Sequence, residues 1–411
     1  MIICLIRLPS PYLINEKAFP PLGLLSVATA LEQAGHEIHV HDGDMEDIPL
    51  GFDYYGLGPS VTEYSSAVSV LKHLKSVTPN IRVVVGGPHP TLNAEECLKD
   101  GFDCVVLGDG EFASEKAFAD ESVNRVLAEQ LPLDSYPITN RSFINIKEYK
   151  YFIDGRLAAP VITAKGCPYQ CGFCSKVYSG VRKRSIHHVI KEIDYLHKEL
   201  GYESVMFFDD TFILDRERVQ AIAIYIRMLD MKWRCLVRGD LIVKAGEDFV
   251  KMLYRNNCVE VGMGIESGSN KILSNINKGE TVETMREAIL MLKDNGIRVK
   301  GFFIFGLPGE SEETLGETER FIAEMPLDDI DCSIFKPYAG SPIYKNRETY
   351  DIQWDAMDYS ETFYKGNGRH KGGNIRTSAL SNKQIVDTMY RLEDAYKKGM
   401  YRNEGTCYNT A

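Results

Sequence analysis

The pattern of apolar and polar positions alternates between two periods from the first residues onward. Ile2 to Ile6 is a short apolar run and reads as a strand. After a Pro-rich loop, Leu24, Leu25, Ala28 and Leu31 recur at helical spacing, and Gly35 follows as a C-cap. Glu37 to His41 alternates with Ile38 and Val40 on one face, and Tyr54 to Leu57 gives a third strand. Ala67, Val70, Leu71, Leu74 and Val77 mark a second helix. Ile81 to Val85 and Cys104 to Leu107 are continuous apolar runs. The first ends in Gly86-Gly87-Pro88-His89 and the second in Gly108-Asp109-Gly110-Glu111. Strands alternating with helices predict a Rossmann-like, doubly wound parallel sheet over residues 1–125, whose ligands bind beyond the carboxyl ends of the strands.

Residues 126–160 read as a linker, because Leu131-Pro132-Leu133-Asp134-Ser135-Tyr136-Pro137 blocks long helices. Over 161–345 the alternation returns, with strands at Val161–Ala164, Val205–Phe208, Trp233–Val237, Val259–Gly264, Val299–Phe305 and Asp331–Phe335. Ser185 is placed to cap a helix whose face is Ile186, Val189, Ile190, Ile193 and Leu200. The basic run Arg182-Lys183-Arg184 before it reads as a solvated helix approach, with a role in holding a substrate anion as the sharper alternative. Residues 346–411 are aromatic at first (Trp354, Tyr359, Phe363, Tyr364), then Gly-rich through Gly373. They end in a helix faced by Ile385, Met389, Leu392 and Ala395. This small, mostly helical segment is expected to close the open end of a βα barrel and shape a pocket. Tyr364, Arg369 and His370 are either substrate contacts or plain loop residues.

A chain of 411 residues has room for two to three domains. Its net charge of −11 argues against broad binding to nucleic acid. No run approaches the ~20 apolar residues of a membrane span, so no membrane partner is expected. The segment from Met1 to Arg7 is too short and wrongly flanked for a signal peptide. Ten cysteines without a small secreted scaffold point to a reducing compartment, the cytoplasm.

Three of those cysteines change the picture. Cys167-Pro168-Tyr169-Gln170-Cys171-Gly172-Phe173-Cys174 places Cys167, Cys171 and Cys174 too close together for ordinary disulfides. Three thiolates suit a soft metal centre, and most protein-held iron–sulfur clusters use four. A triplet with no obvious fourth therefore implies a [4Fe–4S] cluster with one iron open to a small molecule. Three clustered buried cysteines are the plain alternative.

This spacing resembles the radical S-adenosylmethionine (SAM) enzymes, in which the open iron chelates the amino and carboxylate groups of SAM. The resemblance implies a partial (β/α)6 barrel with working residues at the carboxyl ends of its strands. It places Phe173 near adenine, Asp209 and Asp210 as acceptors for an ammonium or ribose hydroxyls, and Arg238 opposite the SAM carboxylate. Glu266 and Ser267 lie in the fourth-strand motif Gly264-Ile265-Glu266-Ser267-Gly268, where a buried glutamate demands a ligand or a basic partner. Gly306 and Pro308, in Gly306-Leu307-Pro308-Gly309-Glu310, stand beside adenine.

The N-terminal segment resembles the cobalamin (B12)-binding domain of the class B radical SAM methyltransferases. The carrying residues are Pro20-Pro21-Leu22-Gly23-Leu24-Leu25, Gly35-His36-Glu37, Gly86-Gly87-Pro88-His89-Pro90-Thr91 and Gly108-Asp109-Gly110-Glu111. No Asp-x-His-x-x-Gly occurs, so the lower cobalt ligand of the mutases is not supplied. The resemblance assigns cobalamin contacts to Ser60, Val61, Thr62 and Glu63, to Gly86, Gly87, Pro88 and His89, and to Gly108, Gly110 and Glu111. His89 reads as a cobalt ligand or as a structural turn histidine.

The remaining cysteines, Cys235 and Cys332 among them, lack metal-ligand spacing and read as core, or as radical quenchers inside the barrel. The implied activity is methylation of an unactivated carbon of a small, natural-product-like substrate through a 5′-deoxyadenosyl radical and methylcobalamin. A donor such as flavodoxin or ferredoxin supplies electrons. Three alternatives stay open: non-methylating chemistry on the same architecture, a radical SAM enzyme whose N-terminal domain is empty, and a non-catalytic sensor or carrier.

Overall fold

The computed structural model of the chain describes residues 1–10, 13, 15–178, 180–355, 359 and 374–400. These fall into two compact units, one of residues 1–151, 177–192 and 359, the other of 152–176, 193–355 and 374–400.

The first unit runs β1 (Ile2–Ile6), α1 (Leu22–Gln33), β2 (Glu37–His41), β3 (Tyr54–Leu57), α2 (Tyr64–Val77), β4 (Arg82–Val85), α3 (Pro88–Leu92), α4 (Ala94–Asp100), β5 (Cys104–Leu107), α5 (Gly110–Ala119) and β6 (Arg125–Leu127). All its strands are parallel, in the order β2-β1-β3-β4-β5-β6. Period-2 alternation sends Ile3, Leu5, Val84 and Val106 to one face, against Leu25 and Leu31 of α1 and Phe118 of α5. It sends Ile6, Leu57, Val83 and Val85 to the other, against Leu71 and Leu74 of α2. The strand order reverses between β1 and β3, which puts the ligand crevice at the loops following those strands.

The expected linker is not one over residues 126–151, which belong to the first unit. β6 extends the sheet edge, and Ile144 and Tyr149 lie in the same core as α1. Polar and Pro-rich spacing hid this, because isolated apolar residues in a loop carry no period.

The second unit opens with β7 (Phe152–Ile153) and β8 (Arg156–Val161), an antiparallel hairpin turned at Asp154-Gly155, both with positive φ (50° and 73°). The two-residue strand β9 (Ala164–Lys165) follows; β10 (Arg182–Lys183) and the first half of α6 (Ile186–Lys198) fall to the first unit, and β11 (Ser204–Phe207) resumes the second. Then come α7 (Arg216–Met228), β12 (Lys232–Val237), α8 (Gly239–Ala245), α9 (Glu247–Arg255), β13 (Cys258–Glu266), α10 (Asn270–Asn275), α11 (Val282–Asp294), β14 (Arg298–Phe305), α12 (Glu312–Glu324), β15 (Asp329–Ile334), α13 (Pro342–Lys345) and α14 (Asn382–Lys397).

Six parallel strands carry the antiparallel β7 at one edge, in the order β15-β14-β13-β12-β11-β8-β7. The first parallel strand lies almost wholly before Val161, earlier than the sequence placed it. Pro160 discourages a strand assignment, yet it is tolerated. The carbonyls of Leu157 and Val161 accept from β11 and its flank (Glu203 N–H at 3.0 Å, Phe208 N–H at 2.9 Å), so Pro160 turns to the other side. There β7 pairs only with Arg156 and Leu157. α14 packs on β14 and β15, with Ile385 beside Gly306 and the Tyr396 hydroxyl donating to the Leu327 carbonyl at 2.7 Å. It thus lies along the β14–β15 edge of the sheet. Tyr364, Arg369 and His370 lie outside the described residues.

Candidate active site

The cysteine loop follows β9, with Cys171 buried and Cys167 and Cys174 half-buried. Its backbone is pinned from two sides. The Gly172 N–H donates to the Ile276 carbonyl at 2.6 Å, and the Gly172 carbonyl accepts from Ile343 at 2.9 Å. A Cβ on Gly172 would stand 3.2 Å from that Ile276 oxygen, so the glycine permits the close approach. The Asn277 amide donates to the Gln170 carbonyl (2.9 Å), and Ser175 Oγ to the Ala339 carbonyl (2.5 Å). Lys176 donates to the carbonyls of Cys167 and Tyr169.

The thiols lie within electrostatic reach of one another. Burial, then the neighbouring Cys171, Asp210 and Cys167, push Cys174 up to about 11. Burial also raises Cys171, against the pull of Lys278 and Arg238. Soft donors gathered on one short loop, with the Lys278 and Arg238 cations within reach of Cys171, suit an iron–sulfur cluster held through thiolates. Among the described residues no three His, Cys, Asp or Glu side chains converge on a single ion. Thiolates that each bind a different iron need no such convergence, and the residues fit a [4Fe–4S] cluster.

Residues at the strand ends surround this loop. Asp210 follows β11, accepts from the Gly166 backbone and is raised chiefly by burial. Thr211 Oγ1 lies 3.8 Å from Cys167 Sγ. Asp209 has a different job: its buried carboxylate accepts from the N–H and the hydroxyl of Thr163, both at 2.5 Å, and ties β11 to the segment after β8. The Arg238 guanidinium, just past β12, stacks 3.6 Å over the Tyr169 ring and points Nη1 at Cys171 Sγ, 3.8 Å away.

Glu266 ends β13 at φ 65°, past a register shift at Gly264, and of the ligand or basic partner that its burial demanded it has the second, Lys278, 2.9 Å away. A Cβ on Gly264 would lie 2.6 Å from Glu266 Oε1 and 3.1 Å from Lys278 Nζ, so glycine makes room for this pair. Ser267 Oγ meets Thr318 Oγ1 at 3.2 Å and fastens β13 to α12. Gly306 (φ 82°) donates to Glu310 at 2.6 Å, and the Pro308 carbonyl accepts from Asn275 at 2.9 Å. Phe173 is half-buried.

In the first unit, three loops are stitched into one rim at the carboxyl edge of the sheet. His89 N–H donates to the Pro59 carbonyl (3.3 Å) and Gly108 N–H to Thr91 Oγ1 (3.1 Å). A Cβ on Gly87, whose φ is 96°, would stand 3.3 Å from the Gly58 carbonyl. One on Gly86 would stand 3.3 Å from Val106, and one on Gly110 2.9 Å from Val27. Ser60 and Glu63 close a capping box, in which Glu63 accepts the Ser60 N–H at 2.8 Å, with Val61 and Thr62 between them. Pro88 opens α3, and Glu111 turns back to accept from Ser26 Oγ at 3.0 Å. Backbone amides and small hydroxyls along such a rim suit a large ligand rich in carboxamides, as cobalamin is.

His89 is committed to the scaffold. Its ring stacks on Tyr64 (centroids 3.9 Å apart), Nδ1 meets Asn93 at 3.4 Å and Nε2 meets Glu96 at 3.2 Å. Glu96 is half exposed, and burial dominates, pulling His89 down to about 4.

In the basic run Lys183 is exposed, as expected of a solvated approach, but Arg182 and Arg184 are committed to internal partners. Arg182 bonds the buried Asp109 carboxylate and donates to the Leu131 carbonyl at 2.8 Å. Arg184 and the fully buried Arg141 share Glu192. Burial pushes that carboxyl up, but the two guanidinium groups outweigh it and hold it below the usual range. Cys235 and Cys332 are buried, and burial raises the Cys235 thiol. The residues that sequence reasoning missed are Tyr169, Thr211, Lys278 and Glu280. Only the demand of Glu266 for a ligand or a basic partner pointed toward Lys278, and nothing pointed toward Glu280.

Models of two known families match this chain: the radical SAM superfamily over residues 161–322 and the B12-binding domain over 16–117. The uncharacterized methyltransferase PH0819 of Pyrococcus horikoshii is 30% identical over 363 residues, 79% of this chain and 78% of that protein. The anaerobic magnesium-protoporphyrin IX monomethyl ester cyclase of Cereibacter sphaeroides is 28% identical over 387 residues, 84% of this chain and 62% of the relative. Among solved structures, the radical SAM methyltransferase TsrM of Kitasatospora setae, with cobalamin and a [4Fe-4S] cluster bound, superposes with a TM-score of 0.71. Identity there is 16%, over 95% of this chain and 90% of that one, so the fold is shared.

Proposed function

Because the chain belongs to the cobalamin-binding radical SAM methyltransferase family, with a [4Fe–4S] cluster, SAM and cobalamin as cofactors, we propose that it methylates an unactivated carbon of a small, natural-product-like molecule in the cytoplasm. The observation that carries this reading is that Cys167, Cys171 and Cys174 lie within electrostatic reach of Asp210, after β11, and Glu266, at the end of β13, the two strands that flank β12. When bound, the cluster and SAM supply a carbon-centred radical, and cobalamin supplies the methyl group.

The chain's own residues bind, orient and exclude water. The three thiolates hold the cluster, and Asp210 and Glu266 serve as acceptors for the ammonium and ribose hydroxyls of SAM. Gly306, Pro308 and Phe173 border adenine. Asp209 and Ser267 act one step back, by fixing the strand ends. On the rim of the first unit, the turns at Ser60–Glu63, Gly86–His89 and Gly108–Glu111 cradle cobalamin, with Glu63, His89 and Glu111 shaping the turns. A one-electron donor of the flavodoxin or ferredoxin class reduces the cluster.

The test is anaerobic reconstitution with iron, sulfide and hydroxocobalamin, then desalting, a visible spectrum and incubation with SAM under reduction. One cobalamin and one cluster per chain, with release of 5′-deoxyadenosine, are expected. A cluster without retained cobalamin would remove methyl transfer from the leading place. Cys171→Ala should abolish the cluster and SAM cleavage while leaving cobalamin bound, and cleavage that survives the substitution would sink the cluster assignment. The cyclase relative favours a second reading, non-methylating radical chemistry on the same architecture. SAM carrying a deuterated methyl group separates the two, since only a methyltransferase passes the label to product.

A further inference from the structure

Arg238 was expected to grip the SAM carboxylate through a two-pronged guanidinium, yet each of its three nitrogens already has a partner. Nε donates to Asp240 Oδ1 at 3.0 Å, Nη2 to the Lys278 carbonyl at 2.8 Å, and Nη1 faces Cys171 Sγ at 3.8 Å. Its flat face covers Tyr169, two residues before that cysteine, at 3.6 Å. Glu280 stands 3.2 Å from Nη2. Lys278 is buried between Glu266 (2.9 Å) and Glu280 (3.6 Å). The segment that carries it is the one that pins the cysteine loop, through Ile276 and Asn277. A single connected assembly therefore joins the ends of β12 and β13 to the sulfur of one cluster ligand.

We propose that Arg238 and Lys278 are positioning residues that clasp the Cys171 corner of the cluster and favour its one-electron reduction. The inference rests on the cluster assignment above. Reduction takes one electron from the donor, makes and breaks no bond, and adds one negative charge shared by the ligand sulfurs. An N–H aimed at such a sulfur stabilises it more as its charge grows, and hydrogen bonds to cluster sulfurs are among the factors that set reduction potential. Arg238, 3.8 Å from Cys171 Sγ, and Lys278, within electrostatic reach of it, add a contribution of the same sign in a water-poor setting. The surrounding carboxylates hold both cations in place, which explains why acidic groups are tolerated beside a centre that must accept an electron.

The test is a redox titration of the reconstituted holoenzyme without SAM, followed by the electron paramagnetic resonance signal of the reduced cluster, with iron and sulfide measured alongside. Arg238→Gln should make reduction about tenfold less favourable, a potential about 59 mV more negative, and Arg238→Lys should recover part of the loss. A full cluster with wild-type potential in Arg238→Gln would overturn the proposal, the more so if SAM binding falls, since that outcome returns Arg238 to the carboxylate. If Arg238→Gln takes up no cluster, Lys278→Arg and Lys278→Met decide. The first should keep the potential and the second lower it, and equal potentials overturn the clasp. A wild-type chain that assembles no cluster would overturn the cluster assignment itself.

Discussion

Glu310, directly behind the glycine turn after β14, keeps its proton at neutral pH. It is buried, accepts the Gly306 N–H at 2.6 Å, and burial raises it from near 4.5 to about 8. Below the lower value the native and unfolded chains both hold this proton; between the two values only the unfolded chain releases it. The group therefore costs stability as pH rises from about 4.5 to about 8, by at most about 1.4 kcal/mol per pH unit. Glu310→Gln keeps the acceptor and cannot ionise, so its melting temperature relative to wild type should climb between pH 5 and pH 8.5. A constant difference across that range would contradict a protonated Glu310. The same scale shows where the sequence ran out. It required a ligand or a basic partner for Glu266, but choosing Lys278 took the path of the loop 276–280, since no periodicity links a strand end to a lysine twelve residues on.

Elements were legible where they had a period. The helices α1, α2 and α14 and the strands β1 to β5 and β11 to β15 follow the apolar spacing closely. What the spacing passed over were β6 and β7, too short to show one, and most of β8, where Pro160 discourages a strand assignment. The β7–β8 hairpin did carry a signal, Asp154-Gly155, which is the preferred pair for a tight turn with positive φ. Contacts between elements explain other glycines. A Cβ on Gly268 would meet Thr318 Cα and Phe321 Cβ at 2.7 Å, and the Glu317 carbonyl at 2.9 Å, all on α12. Backbone cannot yield as a flexible side chain can, so Gly268→Ala should destabilise the second unit by about 1–3 kcal/mol in urea or thermal melts. Gly201→Ala, with nothing within 4 Å of its Cβ, should show only the smaller strain of its positive φ (73°).

At the scale of the whole molecule, two compact units with separate sheets predict separable responses to the cofactors. Hydroxocobalamin at about a hundredfold its dissociation constant should stabilise the unit that binds it by about 2.7 kcal/mol. Calorimetry should place that shift in the unit built on β1 to β6, while chelation of iron lowers the transition of the other. Cobalamin that moves neither transition would contradict a binding role for the first unit. The sequence by itself determined the two alternating α/β architectures, the close spacing of the cysteine triplet and the order of short motifs along the strand ends. Each of these is written in local spacing, and local spacing survives without knowing the fold. Only the tertiary structure decided that residues 126–151 belong to the first unit, that Asp209 serves Thr163, that His89 serves the scaffold, and that Arg238 already has its partners. Those outcomes depend on which buried polar group lies within hydrogen-bond reach of which other. Burial makes each such pairing obligatory, yet the chain's own order leaves the choice of partner open.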